Sequence, residues 1–186
     1  MDKFFITKLF VYMMPNARKR TKYLVKHGVF SSVGNNFVFF PRKIPQDPKF
    51  IRFGNNVVVA TEAMFVNHDI IHEMLNNLPQ QIRGGDEYQK HWDYIDIKDN
   101  VFIGARTMIM PGVTIGPNVV VAAGSVVTKN FSDGVVIGGN PARVIGKLSD
   151  LLEKRKSDVI YQSLYKDEVA IEIWKHKLGG CDEVMS

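Results

Sequence analysis

The stretch Val66-Asn67-His68-Asp69-Ile70-Ile71-His72-Glu73 holds two imidazoles four residues apart, with a carboxylate just after the first. On a continuous helix that spacing puts both rings on one face, as in a zinc protease with Asp in place of Glu. The other chemistry open to the stretch is that of a lone base. An imidazole, with an ordinary pKa of about 6.5, can take a hydroxyl proton near neutral pH. Which of the two applies depends on whether the surrounding chain is helical.

The elements around the histidines are set by a repeat. Ile97, Ile103, Ile109, Ile115, Val121 and Val127 recur at intervals of six. Two positions earlier stand Ile95, Val101, Thr107, Val113, Val119 and Ser125, all branched or small. One position later come Lys98, Gly104, Met110, Gly116, Ala122 and Thr128. A period of six is neither helical nor that of a plain long strand, and it calls for a short strand and a corner, repeated. Three such segments make a triangular coil of about eighteen residues, and coils stack at about 4.8 Å. The recurring aliphatic faces inward, and a small residue after it lets the backbone turn closely. Pro111-Gly112 and Pro117-Asn118 supply turns at other corners.

The same rhythm runs earlier through Phe53, Val59 and Phe65, with Val33-Gly34 and Phe39 as a less regular outer coil. Between Phe65 and Ile97 the count is not a multiple of six, so a loop from about Asp69 to Asp93 leaves the stack and rejoins it. Loops of that length are usually functional. The chain divides into a helical arm over 1–28, coils over 29–146 and C-terminal helices over 147–186. In the arm, Asn16 is expected to cap a helix from Ala17 to His27 that Gly28 ends. Ser149 is expected to cap a helix carrying Leu151, Leu152 and Ile160, and a second helical stretch runs from Tyr165 to Lys177.

With 45% hydrophobic and 23% charged residues, the 186-residue chain suits one soluble domain with small appendages. Its single cysteine, Cys181, forbids an internal disulfide and suits a reducing compartment, which implies the cytoplasm. Residues 1–27 hold seven basic residues against one acidic, while the rest of the chain holds 17 basic against 18 acidic. The basicity is therefore local, and nucleic acid is not an expected partner. Phe5, Leu9, Tyr12 and Met13 share one face of an amphipathic helix. That face docks on its own protein or a neighbouring subunit, or it makes a peripheral contact with the inner membrane surface. The apolar run is too short to span a bilayer and lacks a cleavage site.

The period around His68 is six, not 3.6, Asp is shorter than Glu, and no third ligand stands at a suitable spacing, so no metal is expected. The repeat, with VFIGARTMIMPGVTIGPNVVVAAGSVVTKNFSDGVVIGGNPARVIG from Val101 to Gly146, resembles the hexapeptide-repeat acyltransferases of the galactoside, maltose, xenobiotic and capsular-polysaccharide O-acetyltransferase type. The resemblance covers Ile95 to Gly146 closely, Ile51 to His68 well, and both ends weakly. It implies an all-β solenoid, a left-handed parallel β-helix with helices at both ends and one long excursion loop. It also implies a homotrimer with acetyl-CoA bound between subunits and a sugar or glycan acceptor.

In that family the catalytic base is a histidine at the start of a loop after the early coils, and His68 matches it. The resemblance places Phe102 beside the pantetheine and thioester. It places Gly104, Ala105 and Ala123 along the pantetheine arm, with Thr128, Lys129 and Arg143 at the adenine and phosphate end. Gly104 has a conformational explanation as well. Asn67, Asp69, Tyr88 and Trp92 are expected beside the acceptor, in a pocket shaped partly by the excursion. Asp69, Glu73 or a backbone carbonyl could fix the imidazole tautomer, and the sequence does not choose. Transfer is expected to be direct, with a corner N–H stabilising the oxyanion. Two alternatives share the fold. One is a non-catalytic scaffold. The other is a zinc enzyme of the gamma-type carbonic anhydrase kind, for which His27, His68, His72, His91 and His176 are unsuitably spaced.

Overall fold

In the computed structural model of the chain, residues 3–156, 169–170 and 172–173 are described, with side chains from residue 6 onward. The arm consists of α1 (Lys3–Met13) and α2 (Ala17–Lys26). Asn16 caps α2 by accepting the Lys19 N–H at 3.0 Å, and Gly28 follows at φ +55°. The arm is fastened through α2, where Arg20, Thr21 and Leu24 are buried. Arg20 donates to the carbonyls of Met14, Pro15 and Phe40, and Thr21 Oγ1 accepts the Phe39 N–H at 2.9 Å. The expected docking of the α1 face on its own chain is corrected. Among the residues of α1 whose side chains are described, Val11 is buried, while Leu9, Tyr12 and Met13 are half or more exposed. The reason is that α2 packs against β2, while α1 inserts Val11 into the core.

Among the described residues thirteen short strands follow. They are β1 (Ser32–Val33), β2 (Val38–Phe39), β3 (Ile51–Phe53), β4 (Val57–Val59), β5 (Met64–Phe65), β6 (Ile95–Ile97) and β7 (Val101–Ile103), then β8 (Met108–Ile109), β9 (Thr114–Ile115), β10 (Val119–Val121), β11 (Val126–Val127), β12 (Val135–Gly139) and β13 (Ala142–Lys147). They form three sheets: sheet I is β1-β3-β6-β9, sheet II is β2-β4-β7-β10-β12-β13, and sheet III is β5-β8-β11. Every pairing is parallel except β12 with β13.

The chain visits the sheets in rotation. Val101 pairs with Val119, 18 residues on, and Met108 with Val126, also 18 on. Met64 pairs with Met108, 44 residues on, so the excursion adds 26 residues to one circuit of 18. Within the excursion lie two short helices, α3 (Ile71–Asn76) and α4 (Gln80–Arg83).

The period of six is a burial pattern. All six recurring aliphatics, Ile97 to Val127, have no exposed surface, and the residues two positions earlier are buried too. Phe30, Phe37, Phe39, Phe53 and Phe65 form an aromatic cluster at the first circuits, with centroids 4.7 to 6.5 Å apart.

Corners follow their own rules. Asn36, Asn56, Asn100 and Asn118 sit at φ +54° to +57° between sheets I and II, a conformation that Asn tolerates better than most residues. Their amides chain upward, Asn56 to Asn100 to Asn118 to Asp133, at 2.7 to 2.9 Å. Glu62, Arg106 and Gly124 take the left-handed positions between sheets II and III.

The outward residues differ by sheet. Sheet I presents Arg52, Asp96 and Thr114, with Asp96 buried under Arg52 and Lys98 at 2.5 Å from each. Sheet II presents Val58, Phe102, Val120 and Val136, and sheet III presents Met64, Met108 and Val126.

The arm and sheets belong to one compact unit, Met1–Leu151, and Leu152–Ser186 form a second. The helix α5 (Leu148–Lys156) begins directly after β13, so Ser149 lies inside its first turn and does not cap it. Its Oγ donates to Asp150 Oδ1 at 3.1 Å. Of the stretch expected to be helical from Tyr165 to Lys177, only 169–170 and 172–173 are described, and they are helical. Ile160 and Cys181 lie outside the described residues. Among the described residues no helix is long and apolar enough to cross a membrane.

Candidate functional site

The two histidines do not share a helix. α3 begins at Ile71, so His72 lies on it, while His68 is extended and forms an isolated antiparallel bridge with Trp92. The two legs of the excursion zip together at this point. Asp69 N–H donates to His91 O at 3.1 Å, and Asp93 N–H donates to Asn67 O at 2.9 Å. His68 is thus fixed where the chain leaves sheet III, at the corner it would otherwise turn toward sheet I.

Its ring is held from one side. Nδ1 lies 3.2 Å from Asn67 Oδ1 and 2.9 Å from Asp47 Oδ2. The amide oxygen is the aligned partner, whereas Asp47 Oδ2 receives no directed hydrogen bond and acts on the ring as a nearby charge. Asn67 Nδ2 in turn donates to the Asp47 backbone carbonyl, which locks the amide so that its oxygen faces the ring. The His68 side chain is 15% exposed, and Nε2 has no partner among the described residues. An imidazole held at Nδ1 by an acceptor carries its proton there and offers Nε2 as a base. Asp47 comes from the segment before a 3₁₀ turn, Pro48–Phe50, one circuit earlier. Nothing in the local sequence marks it.

The residues expected beside an acceptor separate into two kinds. Asn67 is 1% exposed and both ends of its amide are engaged, which makes it a positioning residue for the ring. Asp69 accepts the Ile71 N–H at 3.1 Å and so starts α3 instead of orienting His68. Tyr88 and Trp92 are exposed. Tyr88 is pinned through its backbone by the Asn76 amide, with both hydrogen bonds at 2.8 Å, and Lys90 Nζ lies 4.8 Å from the Trp92 ring centroid. His72 Nδ1 is buried with no partner among the described residues. Among the described residues no group of three or more His, Cys, Asp or Glu side chains is arranged to hold a metal ion.

Phe102 stands outward on sheet II, 42% exposed. Gly104, Ala105 and Ala123 come together at the corner between sheets II and III, where the Gly124 N–H donates to Ala105 O at 2.8 Å. A Cβ on Gly104 would lie 2.7 Å from Ala122 C and Val121 O and closer still to Ala123 N. Glycine is therefore required there by the next circuit of the chain itself. Thr128 and Lys129 are exposed after β11, with Lys129 Nζ 5.6 Å from the Phe131 ring. Arg143 is exposed on β13 opposite Gly138. Within one chain, the Gly104 corner and the His68 corner stand at opposite ends of the sheet III strands.

Short parallel strands visited in rotation, with a six-residue burial pattern and an oriented imidazole at one corner, define the class of hexapeptide-repeat transferases. The family model "Bacterial transferase hexapeptide (six repeats)" matches residues 94–129. The chain is 33% identical over 147 residues to the galactoside O-acetyltransferase of Escherichia coli strain K12, an alignment covering 78% of this chain and 68% of that protein. It is 36% identical over 100 residues to the Lactococcus lactis galactoside O-acetyltransferase, covering 54% of this chain and 42% of that one. A solved galactoside acetyltransferase in complex with coenzyme A superposes with a TM-score of 0.57 at 25% identity, covering 87% of this chain and 85% of that one. The protein belongs to the hexapeptide-repeat acetyltransferase family.

Proposed function

We propose that this enzyme transfers an acetyl group from acetyl-CoA to a hydroxyl of a sugar or glycan, with His68 as general base. The observation that carries the reading is the one-sided restraint of His68: Nδ1 faces Asn67 Oδ1 and Asp47, and Nε2 is left available. The acceptor oxygen attacks the thioester carbonyl as Nε2 takes its proton. The tetrahedral intermediate then expels the sulfur, which receives that proton from the imidazolium. The products are an O-acetyl ester and free CoA. The Asp47 carboxylate stabilises the imidazolium in between. Positioned general-base catalysis contributes about 10²–10⁴-fold, or roughly 2.7–5.4 kcal/mol of barrier.

The donor groove runs by Phe102, Gly104, Ala105 and Ala123, with Thr128, Lys129 and Arg143 meeting the phosphates and adenine. The sheets wind as a left-handed parallel β-helix, and three copies assemble. Two features support the trimer. The His68 corner and the Gly104 corner lie apart within one chain, so a thioester between them needs a second copy. Sheet II also presents Val58, Val120 and Val136 outward, an apolar strip that an interface would cover, whereas sheet I carries the Arg52–Asp96 pair. The relatives' names, both galactoside O-acetyltransferases, support a sugar acceptor.

The test is His68→Ala, assayed by thiol release from acetyl-CoA with a panel of sugars. Turnover should fall by about 10²–10⁴-fold with CoA affinity unchanged. Unaltered turnover rejects the assignment.

A further inference from the structure

A cleft of about 800 Å³ lies between the arm and the sheet II/III corner, away from His68 in the same chain. Its charges do not balance. Arg20, Arg42 and Lys43 line it, and among the described residues no carboxylate lies within ion-pair distance of any of the three. The one acidic residue in the lining, Glu62, is already taken by Arg106 at 2.6 Å. Arg20 is 3% exposed, and its Nε has no hydrogen-bond partner. Arg42 uses one nitrogen on the Tyr12 carbonyl at 3.2 Å and keeps the rest of its fork open. Buried or clustered cations without counter-charges are costly, and an arriving anion relieves that cost. Desolvation first, and then the charge of Arg42, pull the Arg20 guanidinium below its ordinary range, as an unneutralised pair requires.

The rest of the wall is apolar. Tyr12, Phe40 and Met64 line the cleft and are 40 to 50% exposed there, surfaces suited to the face of a sugar ring. The cleft therefore offers an open guanidinium fork and an ammonium on one side and ring-sized apolar contacts on the other. We infer that it binds an acidic sugar or glycan, gripping a carboxylate or phosphate group with Arg42 and Lys43. Resting on the acetyl-transfer reading above, in which a second copy brings its His68 corner to this sheet II/III corner, this makes the acceptor an anionic glycan, not a neutral galactoside. A neutral sugar would leave the three cations as they stand, whereas an acidic one supplies the missing charge in bidentate geometry.

The experiment is calorimetric titration of the full chain with methyl glucuronide, glucose 6-phosphate and methyl glucoside, and separately with CoA. It is repeated on Lys43→Gln and on the Arg42→Gln/Lys43→Gln double variant. At least one acidic probe should bind about tenfold or more tighter than the neutral glucoside. The double variant should lose that preference while its neutral-sugar and CoA affinities hold. Lys43→Gln, at a side chain with no partner among the described residues, should lose part of the preference without disturbing the fold. Which acidic probe wins tells a carboxylate from a phosphate. Equal binding of acidic and neutral probes to the wild-type protein overturns the inference. So does a double variant that loses CoA affinity alone, since the cleft would then belong to the donor. Failure of CoA to bind the wild-type protein would count against acetyl transfer and leave the acidic-probe comparison intact.

Discussion

Replacing Gly104 with alanine separates two explanations of one residue, packing of the circuits or room for a donor. Gly104 does not lie in the left-handed region, so alanine there would ordinarily stabilise by about 0.4–1 kcal/mol through the unfolded chain. Here the new Cβ would stand 2.7 Å from Ala122 C and Val121 O, whereas ordinary contacts begin at 3.4 Å. The neighbouring circuit must retreat by at least the difference, about 0.7 Å. That retreat stretches the Gly104 N–H to Val121 O bond from 2.9 Å to about 3.6 Å, beyond hydrogen-bond range.

Overpacking of about 1–3 kcal/mol and a lost buried hydrogen bond of about 0.5–1.5 kcal/mol outweigh the entropic gain. The net cost is about 0.5–4 kcal/mol, centred near 2 kcal/mol, which at the centre is a fall in Tm of about 4–8 °C for a chain of this size. Gly124→Ala is the control. It sits at φ +71° with nothing within 4 Å of its Cβ, so it meets only left-handed strain, about 1 kcal/mol and roughly 2–4 °C. Both are read by thermal unfolding at one protein concentration, because assembly shifts Tm. If Gly104→Ala melts at or above the wild-type temperature, circuit packing does not demand that glycine.

Asn67→Ala should lower kcat by about 10–100-fold while the KM for acetyl-CoA holds, because the amide orients His68 and touches no donor residue. An equal loss in both parameters would point instead to general unfolding of the corner. Phe102→Ala should leave Tm within about 2 °C, since the ring is outward and 42% exposed, yet raise the CoA dissociation constant about tenfold by calorimetry. Asp96 bears on acid stability: the hydrogen bond from Arg52, followed by that from Lys98, holds its carboxyl below the usual carboxylate range. Its contribution is complete above the unfolded value of about 3.9 and fades as pH falls toward the folded value. The stability gap between wild type and Asp96→Asn, followed by urea unfolding, should therefore be constant from about pH 7 to 5 and shrink below about pH 4. A gap that widens with acid would reverse the assignment.

The spacing of aliphatics was sufficient to locate the strands, the buried columns and the departure of the excursion. One residue in six must be buried if each circuit is to stack on the last, and Ile97 through Val127 meet that demand with no exposed surface. The corner glycines were legible for the same reason. Of the left-handed asparagines the sequence marked only Asn118, in the turn Pro117-Asn118; Asn36, Asn56 and Asn100 and their hydrogen-bonded ladder came from the structure.

Residues brought together across circuits escaped the sequence. Asp47 and Asn67 hold the His68 ring, yet Asp47 is 21 positions from it and belongs to no repeat. Docking of the α1 face on its own chain was not borne out, because amphipathic spacing says that a face can be buried, not which neighbour will bury it. The cleft and its uncompensated arginines arise only where the arm meets a corner of the sheets. Periodicity fixes what a residue does for its own circuit. Contacts between circuits depend on chain lengths and angles that no local pattern encodes.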